Sequence, residues 1–395
     1  MARYFYVFRG SSLKIWGLTV SERLSRILRE KALYLEDPAS LDPKDEVLLF
    51  RGDYILDDRL VKYLLNQKNL VLGIQKEGRF LPLAAHIPGE LFSATLAFFK
   101  GEAQAPSGLS IKNLDEIRGD FFTHLKKYEP PFALELRPET QDQIEKRLFD
   151  WSYKGVTDLV TKWLWPIPAR YVVKLCVKLG LKPNHITSLS FILVVLAGYL
   201  FYEGHLGWGL LVAWVMTFFD TVDGKLARVT VTSSKFGHYF DHIIDLIHQP
   251  IWYILFAYGA KRIGAYHIPY GIPELSQILV AFYVLGRLVE GAFKGLFKFT
   301  LFTWKPLDSF FRLILARRNP CLILLTLAFI FQRPDYGFLL VTLWMVLSNS
   351  FLFFRLLWAF YARRRGPLKS WLTEVERYRD HKLAIKWFTK RPLKN

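Results

Sequence analysis

The stretch 220–245, DTVDGKLARVTVTSSKFGHYFDHIID, carries four aspartates, Asp220, Asp223, Asp241 and Asp245, at the edge of two long apolar runs. Asp220 and Asp223 lie three residues apart and Asp241 and Asp245 four apart, so each pair shares one face of a helix. Carboxylates beside hydrocarbon are costly unless they are paired, solvated in a cavity or bound to cations. Four that converge repel one another unless positive charge lies between them. Oxygen-only donors of this kind suit hard divalent cations, Mg2+ or Mn2+. Between the pairs, Gly224 admits close approach of a ligand or helix to the backbone, and Arg228 presents a fork suited to phosphate. Gly237 offers the same close packing ahead of the second pair.

The elements that must hold this stretch are membrane-length helices. Six apolar segments lie near 186–202, 208–219, 243–258, 275–293, 322–331 and 336–358. Several fall short of the ~20 residues that cross ~30 Å of hydrocarbon, but each can be extended by its flanks. The second and third extend into the aspartates, which places these carboxylates just inside one face of the bilayer, in a cavity between helices. Residues 169–179 alternate basic and apolar positions and read as an amphipathic helix in the membrane interface, opened after Pro166 and Pro168 break the preceding segment. The connection 294–318 holds Lys294, Lys298, Lys305, Arg312, Arg317 and Arg318 against Asp308, and Arg363–Arg365 follow the last span. The opposite loops at 203–207 and 332–335 are nearly neutral, and Lys261 and Arg262 go against the pattern without outweighing it. By the positive-inside rule both termini and the aspartates face the cytoplasm. The tail 369–390 reads as a basic helix associated with the surface.

Composition agrees with a membrane part joined to a soluble part. Of 395 residues 52% are hydrophobic and 22% charged, a mixture that neither class alone shows. The net charge of +18 would suit nucleic acid, but beside such apolar runs it points to an anionic membrane surface and to no nucleic-acid partner. Two cysteines, Cys176 and Cys321, support neither a disulfide framework nor a zinc site. Residues 1–145 alternate short strands (4–8, 46–50, 70–74, 81–86) with helical runs (19–31, 58–66), a cytoplasmic α/β domain. A connector and interfacial helix (146–184), the membrane domain (185–362) and a basic cytoplasmic tail (363–395) follow.

The pattern D-x-x-D-G-x-x-A-R, eight residues, then G-x-x-x-D-x-x-x-D resembles the signature of the CDP-alcohol phosphotransferase family. Asp220, Asp223, Gly224, Ala227, Arg228, Gly237, Asp241 and Asp245 fill its eight positions. Isolated aspartates at helix ends commonly serve as caps; eight matched positions beside membrane-length helices outweigh that. The resemblance implies an α-helical integral membrane bundle that transfers a phospho-alcohol group from a CDP-alcohol donor to an acceptor alcohol, releasing CMP. It implies two Mg2+ or Mn2+ ions on Asp220, Asp223, Asp241 and Asp245, with Asp245 accepting the proton of the attacking hydroxyl and Asp241 also essential. Gly224, Ala227 and Arg228 would line the CDP pocket, and a homodimer in the bacterial-type cytoplasmic membrane is expected.

Further candidates follow from the same likeness. Pro183-Asn184-His185-Ile186-Thr187 resembles the family's opening of the first span, where Asn184 and Thr187 come near the nucleotide; a loop and helix cap is the plainer alternative. Lys235, Arg317 and Arg318 are placed to meet an acceptor phosphate, although topology alone explains the arginines. Arg287 and Glu290, one turn apart in the fourth span, could simply pair. Leu246 stands where many bacterial members that take a phosphorylated acceptor carry a basic residue. The first domain resembles the nucleotidyltransferase domain fused to some inositol-phosphate diester synthases, through Val47–Asp53 and the segment 9–14. It lacks their glycine-rich phosphate loop and is expected to be degenerate. A lipid donor such as CDP-diacylglycerol, hence phospholipid biosynthesis, is favoured over a soluble CDP-polyol. A cation or solute transporter is the competitor of another class, but its acids would sit on broken, paired helices near the midplane. A scaffold with an inert membrane part is the third reading, and the intact spacing of the acids argues against it.

Overall fold

The computed structural model describes residues 2–117, 128–232 and 235–389; the side chains of residues 235–238 and 240–242 fall outside the described set. The chain divides into two compact units, Met1–His124 with Glu129–Trp151 and Val229–Thr232, and Leu125–Tyr128 with Ser152–Arg228 and Ser233–Asn395.

In the first unit the strands and helices are β1 (Arg3–Phe8), α1 (Val20–Leu28), β2 (Leu33–Tyr34), β3 (Glu46–Arg51), β4 (Tyr54–Leu56), α2 (Asp58–Leu65), β5 (Leu70–Lys76), β6 (Arg79–Pro88), α3 (Phe92–Lys100), β7 (Ser110–Asn113), β8 (Ala133–Glu135) and α4 (Gln141–Trp151). A mixed sheet runs β2-β1-β3-β6-β5-β7, and β4 pairs with β8. β1 and β3 are parallel, whereas β6 is antiparallel to both β3 and β5. The run EVLLFR of β3 is buried throughout, as a strand covered on both faces must be. Glu77 and Gly78, at φ 52° and 76°, form the two-residue turn whose twist suits the β5–β6 hairpin. Thr19 and Glu22 close a capping box on α1, with Glu22 Oε2 accepting from the Thr19 backbone at 2.8 Å.

Asp53 follows β3 as expected, but its carboxylate is taken by Arg51 Nε at 2.8 Å. The neighbouring Gly52 packs so closely that a Cβ would lie 2.8 Å from the carbonyl oxygen of Arg9. Both observations describe a tight turn held by local contacts.

The second unit begins with a π-helical turn at Val160–Leu164 and continues through α5 (Pro166–Lys178), α6 (Pro183–Tyr202), α7 (Leu206–Val229), α8 (Lys235–Arg262), α9 (Ile272–Phe297), α10 (Pro306–Ile314), α11 (Arg318–Ile330), α12 (Pro334–Arg363) and α13 (Lys382–Phe388). Pro166 and Pro168 open α5 rather than separate it from what precedes, since proline is tolerated in a first turn. Gly180, at φ 67°, ends it. Ile167, Tyr171, Leu175 and Leu179 are exposed on α5, leaving an apolar stripe for the interface.

Among the described residues, α6, α7, α9 and α12 are long and apolar enough to cross a membrane. The pair α10–α11, bent by 43°, makes a fifth if it is one span. Six spans were expected; α8 is 28 residues long but is diluted by Asp245, His248, Gln249 and Pro250 and does not count with the others. The chain is an integral membrane protein. Its core joins Phe201 on α6, Met216 on α7, Tyr253 and Phe256 on α8, Leu279 on α9, Leu325 on α11 and Met345 on α12. Trp252 Nε1 donates to the carbonyl of Val194 at 2.9 Å, so α8 is tied to α6 by a bond that burial makes costly to lose. Both cysteines are buried and free.

The tail departs from the single surface helix expected over 369–390. Only a 3-10 turn at Val375–Tyr378 and the short α13 form, and Trp371, Leu372 and Phe388 are buried. Trp371 Nε1 donates to Ser309 Oγ at 2.9 Å, and Ser370 Oγ to the carbonyl of Thr303 at 2.8 Å. Trp371 and Phe388 fill a core with Phe293, Trp304 and Leu313 instead of lying on a lipid surface as the basic-helix reading expected. An indole with a satisfied N–H is as well suited to a protein interior as to a headgroup layer, and sequence alone does not separate the two.

Candidate active site

α7 carries Asp220, Asp223, Gly224, Ala227 and Arg228 in its last turns, and α8 carries Asp245. Asp223 is buried, and its Oδ2 accepts a 2.8 Å hydrogen bond from Thr187 Oγ1 in the first turns of α6. Thr187 therefore orients a motif carboxylate, which is more than a capping role. Asn184, in the first turn of α6, is exposed.

Arg318, at the start of α11, joins the two aspartate-bearing helices. Its Nη1 lies 2.6 Å from Asp245 Oδ1, and its Nη2 pairs with Asp220 Oδ2. One guanidinium therefore brings Asp220 and Asp245 to a common centre. The Asp245 side chain is 32% exposed, so its carboxylate is not sealed in the core. Below it, Tyr283 on α9 donates to the carbonyl of Leu246 at 2.9 Å, and Gln249 Nε2 to that of Asp245 at 2.8 Å. Arg228 folds back over Gly224: a Cβ there would stand 3.0 Å from Arg228 Nη2. Glycine at this position leaves the guanidinium room to lie along the helix.

A basic corner adjoins the acids. Arg287 and Glu290 pair at 2.8 Å, and Arg317 also pairs with Glu290. Arg312 stacks over Phe302 at 5.4 Å, and its Nη1 is buried without a hydrogen-bond partner among the described residues. Asn319 Nδ2 donates to Asp158 Oδ1 at 2.9 Å and so fixes the start of α11 to the connector. Asp158 also accepts from the backbone of Thr161, and despite its burial its carboxyl is held below the ordinary carboxylate range by Arg312, that backbone N–H and Asn319. The loops around the corner are fixed by Ser348 Oγ, which accepts from Ala316 N at 3.2 Å, and by Trp344 Nε1, which donates to Ile314 O at 2.8 Å.

The side chains of Asp241, Lys235 and Gly237, like those of His238 and His242, lie outside the described residues. Among the described ones no three of His, Cys, Asp and Glu stand close enough to hold a metal. Asp220 and Asp245 nonetheless already grip a cation, the guanidinium of Arg318, and all motif donors are carboxylate oxygens. That donor set fits a hard divalent ion. Of the remaining candidates, Arg317 turns to Glu290 rather than to the aspartates; His248, one turn beyond Asp245, is bonded to the Ile244 carbonyl and packed edge-on against Trp252. Sequence reasoning gave no role to Asp158, because no spacing links residues of the connector to helices so far along the chain.

Residues 181–302, within the second unit, match the family model for CDP-alcohol phosphatidyltransferases. Three curated relatives share part of the chain. The archaetidylinositol phosphate synthase of Pyrococcus horikoshii is 39% identical over 79 residues, 20% of this chain and 42% of the relative. The phosphatidylinositol phosphate synthases of Corynebacterium glutamicum and Mycobacteroides abscessus are 33% identical over 98 residues and 29% over 91, covering 23% and 21% of this chain and 45% and 41% of theirs. The chain thus spans less than half the length of the curated relatives it matches. The family match lies beyond the α/β domain, whose nucleotidyltransferase likeness gains no support from it.

Proposed function

We propose that this protein transfers a phospho-alcohol group from a membrane-borne CDP-alcohol to an acceptor alcohol, releasing CMP, in phospholipid biosynthesis. The observation that carries the proposal is the convergence of Asp220 and Asp245 on one cationic centre, with Asp223 held by Thr187 beside it, inside a segment that matches the family. The acceptor we assign is a polyol phosphate of the inositol-phosphate kind, in keeping with the names of the relatives. Leu246 replaces the basic residue that commonly follows the fourth aspartate, and Arg287, Arg312, Arg317 and Arg318 supply positive charge from α9, α10 and α11 instead.

Two divalent cations on Asp220, Asp223, Asp241 and Asp245 would neutralise charge on the pyrophosphate and align the entering and leaving oxygens. Arg228 and Gly224 border the donor phosphates. The acceptor hydroxyl oxygen bonds to the phosphorus that carries the donor alcohol, its proton passes to Asp245, and the bond from that phosphorus to the CMP oxygen breaks. Thr187 fixes the orientation of Asp223 throughout. The active site and both termini are assigned to the cytoplasmic face, on the excess of basic residues in the 294–318 connection. α8 is assigned as a further span beside α6, and the working unit as a homodimer.

The test is release of CMP from CDP-diacylglycerol by purified full-length protein with inositol 1-phosphate, in Mg2+ and in EDTA. Asp245→Asn is expected to abolish release while retaining the wild-type melting profile. Wild-type turnover by this variant, or release that is indifferent to EDTA, would refute the assignment. Cation movement without CMP release would favour a transporter.

A further inference from the structure

Beside the aspartates, one carboxylate sits between two arginines. Glu290 on α9 accepts from Arg287 Nη2 at 2.8 Å with its Oε1, and its Oε2 pairs with Arg317 Nη2 from the bend between α10 and α11. Each oxygen of the carboxylate thus meets one guanidinium. Short contacts tie this cluster to the motif. Arg317 directly precedes Arg318, which holds Asp220 and Asp245. Arg287 lies over the ring of Tyr283 at 5.4 Å, and the Tyr283 hydroxyl donates to the carbonyl of Leu246, the residue after Asp245. The side chains of Arg287, Glu290 and Arg317 are 17%, 20% and 20% exposed, so the cluster is not sealed.

In arginine, Nε and Nη2 point along one edge and together fit two oxygens of an oxyanion. That edge is half used in both residues. Glu290 meets Nη2 of each, while Arg287 Nε and Arg317 Nε are buried with no hydrogen-bond partner among the described residues. A buried donor without its bond costs free energy, and a charged one costs more. A carboxylate brings two oxygens to these donors, whereas a phosphate monoester brings three and a larger charge. The backbones that carry the two arginines are fixed against consecutive residues of α12. A Cβ on Gly286, before Arg287, would run into Asn349 Oδ1, and Ala316 N, before Arg317, donates to Ser348 Oγ at 3.2 Å. An exchange of anions here therefore falls to side chains rather than to helices.

We infer that Glu290 is a resident counter-ion, displaced from Arg287 and Arg317 by the phosphate of the acceptor. In the empty site the carboxylate offsets the repulsion between two neighbouring cations. When the acceptor binds, its phosphate takes Nε and Nη2 of both arginines and Glu290 gives them up. The inference rests on the proposed function and adds a residue that sets acceptor specificity: a phosphate monoester can outcompete a built-in carboxylate, and an uncharged polyol cannot. Glu290 touches no reacting atom and takes no part in the proton transfer assigned to Asp245. It acts through the two arginines that it holds and releases.

The experiment compares wild type, Glu290→Gln and Glu290→Asp, each as the full chain in mixed micelles with Mg2+. One arm measures the calorimetric Kd of inorganic phosphate and KM for inositol 1-phosphate. The other measures the Kd of CDP and KM for CDP-diacylglycerol. With the competing charge removed, Glu290→Gln should bind inorganic phosphate about tenfold more tightly and lower KM for inositol 1-phosphate, with both donor constants within about twofold of wild type. Glu290→Asp keeps the charge but withdraws it by one methylene, so it should tighten phosphate binding by less. If Glu290→Gln does not fold, Glu290→Asp decides by the same sign. A residue that merely held the arginines in place would give the opposite sign, weaker phosphate binding in both variants. That result, unchanged phosphate constants, or a change confined to CDP overturns the inference while leaving the proposed function standing. If the wild type releases no CMP, the proposed function fails; the Kd values for inorganic phosphate then decide Glu290 by themselves.

Discussion

Replacing Arg318 should trade a fixed cation for a mobile one. Its Nη1 contacts Asp245 Oδ1 at 2.6 Å, its Nη2 contacts Asp220, and its guanidinium also touches the Met216 sulfur at 3.9 Å. In Arg318→Met the stem still packs, but the two carboxylates lose the guanidinium that bridges them. Removing one partner of a fully buried pair costs about 3–5 kcal/mol. Here the Asp220 and Asp245 side chains are 15% and 32% exposed, so water screens part of the loss and we expect about 2–3 kcal/mol. A divalent ion that binds the native state at a concentration 100 times its Kd adds about 2.7 kcal/mol, enough to offset it. In wild type Arg318 competes for the same oxygens, so the gain there should be smaller. The assay is intrinsic-fluorescence melting in EDTA and in rising Mn2+, with Mn2+ affinity measured directly by calorimetry. Arg318→Met should melt below wild type in EDTA, bind Mn2+ more tightly and recover most of its stability in saturating Mn2+. Equal melting in EDTA, or no greater stabilisation by Mn2+ than in wild type, would show that Arg318 and a metal do not share Asp220 and Asp245.

Two further outcomes follow from packing and charge. A Cβ at Gly259 would lie 1.8 Å from the backbone oxygen of Phe201, so Gly259→Ala must separate α6 from α8 and should cost about 3 kcal/mol, whereas Gly291→Ala meets nothing within 4 Å and should melt like wild type. In the first unit, Lys68 and Arg3 hold the Glu46 carboxyl down at about 2, against the outward push of burial. A depressed carboxylate contributes its stability above the unfolded value of 4.5 and loses it as pH falls toward 2. Amide exchange in β3 of the full chain, corrected for intrinsic rates, should accelerate over that window by the equivalent of about 2 kcal/mol, allowing for the exposure of Lys68. Glu46→Gln should remove the pH dependence.

The aspartate spacing, the apolar runs and the alternation of short strands with helices were legible in the amino-acid order. Each depends on a period of about 3.6 or 2 residues, or on a turn residue, and such signals act over a few positions. That is why α1, β3 and the carboxylates of α7 appear where expected, and why Asp220 and Asp223 share a helix face with no knowledge of the fold. Partners drawn from distant segments have no such period. Arg318 is 98 residues from Asp220 and 73 from Asp245, and Asn319 is 161 from Asp158. Topology explained Arg317 and Arg318 equally well, yet only packing turned one toward Glu290 and the other toward the aspartates. The tail was misjudged for a related reason: composition reports how apolar a segment is, but its surroundings decide whether lipid, water or protein covers it. Chain order alone thus determined which residues could do the chemistry and which helices carry them. Tertiary structure alone decided which cation they face, because a charge finds its partner through space and the chain between them leaves no local trace.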